Sequence, residues 1–191
     1  MNDIHFDPAV TVAFSGHRPE KIFNNKCSPR LEEAIHNEIY FTLNKMYRAG
    51  FRNFISGMAR GFDLWAAHAV MLLKEQREYQ DIKLIAAIPH LGQSDRYDEQ
   101  AQKLYDDILR AADYREALAS SYYPRCYLDR NDWMLEHSKA LICYCNGEPG
   151  GTDYTVEKAH KAGHIIINLH SIIARREELN GSADDPSPDR Q

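Results

Sequence analysis

The sequence has no apolar run long enough to cross a membrane. Its apolar runs are short, such as Ile165 to Ile167, whereas a membrane helix needs about 20 apolar residues. The N-terminus carries Asp3, His5 and Asp7 and lacks the basic-then-apolar layout of a signal peptide. We therefore expect a cytoplasmic protein without a membrane span.

Cysteine patterns that would indicate a metal or redox site are also missing. The four cysteines are Cys27, Cys126, Cys143 and Cys145, and no two of them form a C-x-x-C pair. This disfavours zinc ribbons and redox motifs. Cys143 and Cys145 lie in one apolar run and would share one face of a strand, so we expect buried free thiols.

Two nucleotide-binding fingerprints and a strong positive charge are absent as well. The turn from Ser56 to Gly61 is neither a G-x-G-x-x-G motif nor a P-loop, since no Gly-Lys-Ser/Thr follows. This argues against an ordinary dinucleotide dehydrogenase and against an NTPase. The formal net charge of -5 gives no strong nucleic-acid signal, although it leaves a local basic cleft open.

The sequence does contain apolar runs that alternate with helical stripes. With 191 residues and a hydrophobic fraction of 43%, the chain fits one domain with a full-sized core. The runs are continuous rather than alternating, as in strands buried on both faces. The predicted strands are Val10 to Ser15, Phe54 to Ser56, Lys83 to Ile88, Ala140 to Cys145 and Ile165 to Leu169, with a weaker one around Ala117. This order predicts a Rossmann-like, three-layer α/β/α fold with a mostly parallel sheet.

Helical segments lie between these strands. The predicted helices run from Pro29 to Gly50, Asp63 to Lys74, Ser94 to Ala112, Arg125 to His137 and Thr152 to Gly163. We expect a single domain over residues 1–178. Gly, Ser, Asp and Pro dominate the end of the chain, which predicts a disordered tail over residues 179–191.

Polar and small residues follow four of the predicted strands. The first two exits read Ser15-Gly16-His17-Arg18-Pro19 and Ser56-Gly57-Met58-Ala59-Arg60-Gly61, and the other two read Pro89-His90 and Asn146 to Thr152. In open parallel sheets, ligands bind beyond the carboxyl ends of the strands. We therefore expect these turns to form one cleft.

The Gly150-Gly151-Thr152 turn is the most informative of these exits. It immediately precedes a predicted helix, so free backbone N–H groups and the helix dipole would point at a bound anion. Paired glycines allow a phosphate to approach the backbone. An ordinary glycine-rich turn with Thr152 as the helix cap explains the same residues.

Charged residues at the exits have alternative roles. Arg18 and Arg60 suit a phosphate or carboxylate, or are solvated surface charges. Asp63 either favours the dipole of its helix, or accepts bonds from ribose hydroxyls or acts as a base. His17 and His90 lack a carboxylate pattern, so we expect loop hydrogen bonding and no metal site.

These exit motifs resemble those of the YpsA-like branch of the SLOG superfamily. The resemblance extends from Ser15–Pro19 and Ser56–Ala67 to Pro89-His90, to Arg130-Asn131, and to Gly150–Thr152 with Thr155, in the same order over about residues 10–170. It implies a Rossmann-like fold whose cleft binds nucleotides or nucleotide-derived signals. It also implies a link to bacterial cell division and favours a homodimer.

Together the exits and the resemblance give a set of expected ligand-binding residues. They are Ser15, Gly16, His17, Arg18, Ser56, Gly57, Met58, Ala59, Arg60, Gly61, Asp63, Pro89, Asn131, Gly150, Gly151, Thr152 and Thr155.

The sequence departs from one relative of this family, the LOG phosphoribohydrolases. They carry a P-G-G-x-G-T-x-x-E pattern with a catalytic Glu, and this chain has Thr155 at that place. Glu157 would point about 200° away from it on a helix. We therefore expect no hydrolysis of the LOG type.

Three functions fit these observations. The leading hypothesis is a sensor or regulator that binds a small, phosphate-bearing, nucleotide-derived ligand. The second is an enzyme that hydrolyses or transfers part of a nucleotide, with an acidic residue such as Asp63 as general base. The third is a protein-interaction module with a vestigial cleft, whose surface includes Tyr122, Tyr123 and Trp133.

Overall fold

A computed structural model describes residues 6–24, 26 and 28–183 of the chain. In this part of the chain, six parallel strands form one sheet in the order β4-β3-β2-β1-β5-β6. The strands are β1 (Thr11–Gly16), β2 (Asn53–Ser56), β3 (Lys83–Ile88), β4 (Tyr114–Ala117), β5 (Ala140–Tyr144) and β6 (Ile165–Asn168). The predicted parallel sheet is confirmed, including the short strand around Ala117.

Helices cover both faces of this sheet. They are α1 (Pro19–Ile22), α2 (Pro29–Arg48), α3 (Phe62–Lys74), α4 (Glu99–Ala111), α5 (Cys126–Glu136), α6 (Gly151–Lys161) and α7 (Leu169–Ala183), with short 3-10 helices at Pro8–Val10 and Arg77–Tyr79. Helices α2, α3, α4 and α7 form one outer layer, and α5 and α6 form the other. The predicted three-layer, Rossmann-like fold is confirmed.

Each strand supplies apolar side chains to both layers. Val12 and Phe14 point into the core under α2 and α3, whereas Ala13 between them packs towards α5 and α6. All three side chains are fully buried. Because both faces of the sheet are covered, the strands read as continuous apolar runs rather than as alternating ones.

Some element boundaries differ from the prediction. The helix predicted from Ser94 begins at Glu99, because the Asp98 side chain accepts a hydrogen bond from the Ala101 N–H and caps it. Helix α7 continues to Ala183, five residues beyond the predicted domain end at residue 178, since Arg175 to Leu179 are good helix formers. Cys27 and residues 184–191 lie outside the described residues, whereas Cys126, Cys143 and Cys145 are buried and free.

Within the described residues, no helix is both long enough and apolar enough to cross a membrane.

Candidate functional site

The sheet has a topological switch point between β1 and β5. From β1 the chain builds the sheet outward through β2, β3 and β4 on one side, and then returns to place β5 and β6 on the other. Gly16 at the end of β1 is in register with Tyr144 at the end of β5. In open α/β sheets the crevice beyond the carboxyl ends of two such strands is the usual ligand site.

A cleft of about 370 Å³ occupies this position, and we refer to it as the switch-point cleft. It is lined by Ser15, Gly16, His17, Arg18, Glu20, Lys21, Ala59, Asp63, Tyr127, Leu128, Arg130, Asn131, Gly150, Gly151 and Thr152. Residues from three of the predicted strand exits therefore meet in one cavity.

Helix α6 begins at the wall of this cleft without a side-chain cap. Gly150 is the residue at the cap position, so Thr152 lies inside the first turn and is not the cap. A Cβ atom built on Gly151 would meet no atom within 4 Å, so the space in front of this residue is open. The first N–H groups of a helix have no intrahelical partner, and they carry the positive end of its dipole. This wall is suited to an anion.

Two cations beside α6 differ in how strongly they are engaged. Arg18 is exposed and makes no ion pair or side-chain hydrogen bond with another described residue. Lys21 donates to the carbonyl oxygens of Glu148 and Pro149 at 3.2 and 3.3 Å and pairs with the Glu148 carboxylate at 3.3 Å. Lys21 thus holds the β5–α6 turn, and Arg18 is the uncommitted charge in the cleft.

Arg60 does not have the freedom that the sequence suggested. Its guanidinium pairs with the carboxylates of Glu20 and Asp98. These partners offset its charge, so Arg60 offers less to a ligand than Arg18 does.

The floor of the cleft is a buried ion pair between Asp63 and Arg130. Asp63 Oδ1 accepts the Gly16 N–H at 3.0 Å, and Oδ2 lies 3.9 Å from Arg130 Nη1, which also donates to the Gly57 carbonyl. Burial raises the pKa of Asp63 to about 6, although the Arg130 guanidinium opposes this shift. Burial also lowers the pKa of Arg130. Asp63 therefore joins the end of β1 to the start of α3.

Several residues predicted to bind a ligand lie beneath the cleft rather than on its surface. The Ser56 hydroxyl donates to the Asp63 carbonyl and accepts the Met58 N–H, and Met58 is buried with a φ of 59°. Among the predicted residues, the switch-point cleft is not lined by Ser56, Gly57, Met58, Gly61, Pro89 or Thr155. The β2–α3 turn, which contains Gly57, Met58 and Gly61, holds the Asp63–Arg130 pair in place.

Thr155 and Asn131 brace the first turn of α6 from inside. The buried Thr155 hydroxyl donates to the Gly151 carbonyl at 2.7 Å, and Asn131 Nδ2 donates to the same hydroxyl at 2.7 Å. Glu157 is exposed and pairs with Lys161 at 3.6 Å, and it does not line the switch-point cleft. The cleft thus has no carboxylate at the place of the LOG glutamate.

His17 joins the ends of β1 and β5. Its Nε2 lies 2.7 Å from Asn146 Oδ1, and burial lowers the pKa of His17. The ring is therefore largely neutral at pH 7. This agrees with the predicted hydrogen-bonding role in a loop.

A larger cavity of about 850 Å³ adjoins the switch-point cleft, and we refer to it as the adjacent cavity. It is lined by Arg18, Arg60, His90, Gly92, Gln93, Asp95, Arg96, Tyr97, Ser120, Ser121, Tyr122 and Tyr127. Arg18 and Tyr127 line both cavities. Tyr122 was predicted only as part of an interaction surface, and neither its place in a cavity nor the ion pair of Arg130 was predicted, since no local pattern indicates which distant residues they contact.

Comparisons with known proteins agree with this architecture. A UPF0398 protein of Bacillus cereus strain B4264 is 31% identical over 163 residues, which cover 84% of this chain and 87% of that one. A UPF0398 protein of Bacillus cereus strain G9842 is 31% identical over 178 residues, covering 88% and 91%.

Among solved structures, two of DNA processing protein A match the chain, and the first of them supports the similarity in fold. The Streptococcus pneumoniae protein matches with a TM-score of 0.52 and 19% identity, over 91% of this chain and 57% of that one. The Helicobacter pylori protein, described for its single-stranded DNA binding mode, matches with a TM-score of 0.46 and 16% identity, over 91% and 82%.

The family model of YpsA, described as the YspA SLOG family, matches residues 12–172. This range includes every strand of the sheet except the first residue of β1, as well as all of the exits that form the switch-point cleft. The chain therefore belongs to the YpsA family of SLOG proteins.

Proposed function

We propose that this protein binds a phosphate-bearing, nucleotide-derived small molecule in the switch-point cleft and acts as a ligand sensor or regulator. The observation that carries the proposal is the uncapped N-terminus of α6, open in front of Gly151, in a cleft that also holds the uncommitted Arg18. The position at a topological switch point is where doubly wound sheets bind nucleotides.

The chemistry of the cleft supports a phosphate group as the anchor. Free N–H groups at the start of α6 would hydrogen-bond to its oxygens, and the helix dipole would favour its charge. The guanidinium of Arg18 is able to bind two oxygens at once. Lys21 lies at the same turn, but the Glu148 carboxylate offsets its charge, so Arg18 is the uncommitted cation of the cleft.

A role in binding is favoured over hydrolysis of the LOG type. Thr155 is buried under the first turn of α6, and Glu157 pairs with Lys161 on the exposed side of the same helix. A second candidate is a nucleotide-processing enzyme that uses Asp63, because a pKa of about 6 suits a general base. That carboxylate, however, already accepts the Gly16 N–H, and its side chain is only 5% exposed.

The cytoplasmic location stays a prediction. The described cysteines are all free, as is usual for cytoplasmic proteins. The homodimer, a protein partner and the link to cell division also stay predictions. Trp133, predicted as part of an interaction surface, stacks on His137 with 4.2 Å between ring centroids.

Thermal stabilisation tests the proposal with ribose 5-phosphate, AMP and a short single-stranded DNA as probes. A ligand at a hundred times its Kd should stabilise the fold by about 2.7 kcal/mol. Gly151→Val should abolish stabilisation by ribose 5-phosphate, since the new side chain fills the space in front of α6. The control Ala162→Val, at the other end of α6, should leave it unchanged. Product analysis on the same samples should find no released base.

A pair of arginine variants tests the role of charge. Arg18→Ala should weaken ribose 5-phosphate binding by about 1.5–3 kcal/mol, the range for hydrogen bonds to charged groups. Arg60→Ala should weaken it less, since Arg60 is paired with Glu20 and Asp98. Arg110→Ala, on an exposed face outside both cavities, is the control. If a phosphate probe binds and neither Gly151→Val nor Arg18→Ala affects it, the proposal is wrong.

A further inference from the structure

The adjacent cavity has an aromatic wall that the binding of a phosphate does not use. The His90 ring lies 5.7 Å from both the Tyr122 and the Tyr127 ring, centroid to centroid, at interplanar angles of 83° and 84°. The Tyr122 and Tyr127 rings are 6.4 Å apart. Tyr122 is 65% exposed, so its ring face is not covered by the protein core. Such a wall offers flat apolar faces to a planar ligand.

Gln93, which lines the same cavity, has a buried hydrogen-bond acceptor without a partner among the described residues. Gln93 is 4% exposed, and its Nε2 donates to the Gly57 carbonyl at 3.0 Å, which fixes the orientation of the amide. Its Oε1 makes no hydrogen bond within the described part of the chain. Buried polar atoms in native proteins are almost always paired, so an unpaired one in a cavity wall indicates a missing donor. An exocyclic amino group is such a donor.

The two cavities share part of their lining. Arg18 and Tyr127 line both cavities, so the cavities adjoin at these two residues. The adjacent cavity has a volume of about 850 Å³, which is large for a ligand pocket. Arg96, a second exposed arginine without an ion pair in the described residues, also lines this cavity.

We propose that the adjacent cavity is a base subsite, which takes a nucleobase bearing an exocyclic amino group while the phosphate of the same molecule binds at α6. The base stacks on the exposed Tyr122 ring and contacts the Tyr127 ring, which is inclined by 52° to it, and its amino group donates to Gln93 Oε1. The ribose passes Arg18 at the junction of the two cavities. This inference rests on the proposed function, since the phosphate is the anchor.

Calorimetric titration with three probes tests the subsite. AMP carries the amino group, IMP carries a carbonyl oxygen in its place, and ribose 5-phosphate has no base. AMP should bind at least about tenfold more tightly than ribose 5-phosphate, as expected from base–aromatic stacking. IMP should bind about tenfold more weakly than AMP, because its oxygen would face the lone pairs of Gln93.

Variants at Tyr122 separate stacking from anchoring. Tyr122→Ala should weaken AMP binding by about five- to a hundredfold and change ribose 5-phosphate binding by less than about twofold. Tyr122→Phe, the control, keeps a ring and should keep the affinity for AMP. The exposed position of Tyr122 makes it suitable, and an unchanged Tm in both variants checks that the fold is intact.

The outcomes distinguish this inference from the proposed function. If ribose 5-phosphate binds and Gly151→Val abolishes its binding, yet AMP binds no more tightly than ribose 5-phosphate, the base subsite is wrong. The anion site is then still supported. Equal affinities for AMP and IMP overturn the role of Gln93. If neither ribose 5-phosphate nor AMP binds at millimolar concentration, the anion site is wrong and the base subsite falls with it.

Discussion

The switch-point cleft and the adjacent cavity are neighbours built in different ways. The cleft is formed by the ends of β1 and β5, by the first turn of α6 and by the buried Asp63–Arg130 pair. The adjacent cavity is formed mostly by the loops that follow β3 and β4, together with Arg18, Arg60 and Tyr127. The backbone therefore positions the first, and loop side chains determine the second.

This difference separates the residues that keep the protein folded from those that only face a ligand. Arg130 in the cleft floor is 4% exposed and holds both Asp63 and the Gly57 carbonyl. Arg96 in the adjacent cavity is exposed and has no ion pair in the described residues. We expect substitutions in the floor to change folding and substitutions in the adjacent cavity to change binding alone.

The largest effect is expected when the floor loses its cation. Arg130→Met should lower the free energy of unfolding by about 3–5 kcal/mol, because it leaves Asp63 buried without a counter-charge. Arg96→Met should change it by less than about 0.5 kcal/mol, as is usual for surface substitutions. Urea denaturation measures both, and equal losses would remove the contrast between the two cavities.

The pH dependence of stability should report the same floor. The pKa of Asp63 is about 6 in the folded protein against 3.8 in the unfolded chain, so folding takes up a proton between these values. Stability should therefore decline as the pH rises from 4 to 6, by about 2 kcal/mol relative to Asp63→Asn.

Unfolding free energies measured at several pH values for both proteins give this difference. Parallel curves for the wild type and Asp63→Asn between pH 4 and 6 would show that Asp63 is not desolvated as described.

A smaller effect distinguishes two glycines of the site. A Cβ atom on Gly57 would lie 1.8 Å from Arg130 Nη1, whereas one on Gly151 would meet nothing within 4 Å. Gly57→Ala should therefore destabilise the fold by about 1–3 kcal/mol through overpacking. Gly151→Ala should leave stability almost unchanged. If thermal unfolding finds the two variants alike, the floor is less tightly packed than the distances indicate.

Local patterns were sufficient to predict the sheet. Lys83 to Ile88 was predicted with the bounds that the structure has, because a continuous apolar run is visible within the segment itself. The edge strand β4 gave a weaker signal, since its residues are mostly exposed. Helix α1 was not predicted, because its four residues, which begin with Pro19, are too few to show a helical periodicity.

The candidate site was predictable only in outline. The turns after β1 and β5 contain small and charged residues, so their meeting at one edge follows from parallel strands. Their individual roles did not follow. Arg60 was expected to supply charge and is paired with Glu20, 40 positions away in the sequence. Thr155 was expected in the cleft and lies beneath it.

By itself, the sequence determined a Rossmann-like parallel sheet, its strand exits and a glycine turn at the start of a helix. These features follow from the pattern of apolar residues and from the backbone freedom of glycine, both of which are visible within each segment. Only the tertiary structure decided that Arg130 reaches Gly57 across 73 positions, that Asp63 is desolvated, and that a second cavity shares Arg18 with the first. Ion pairs and cavities depend on distances between remote side chains, and packing of the two helical layers against the sheet sets those distances.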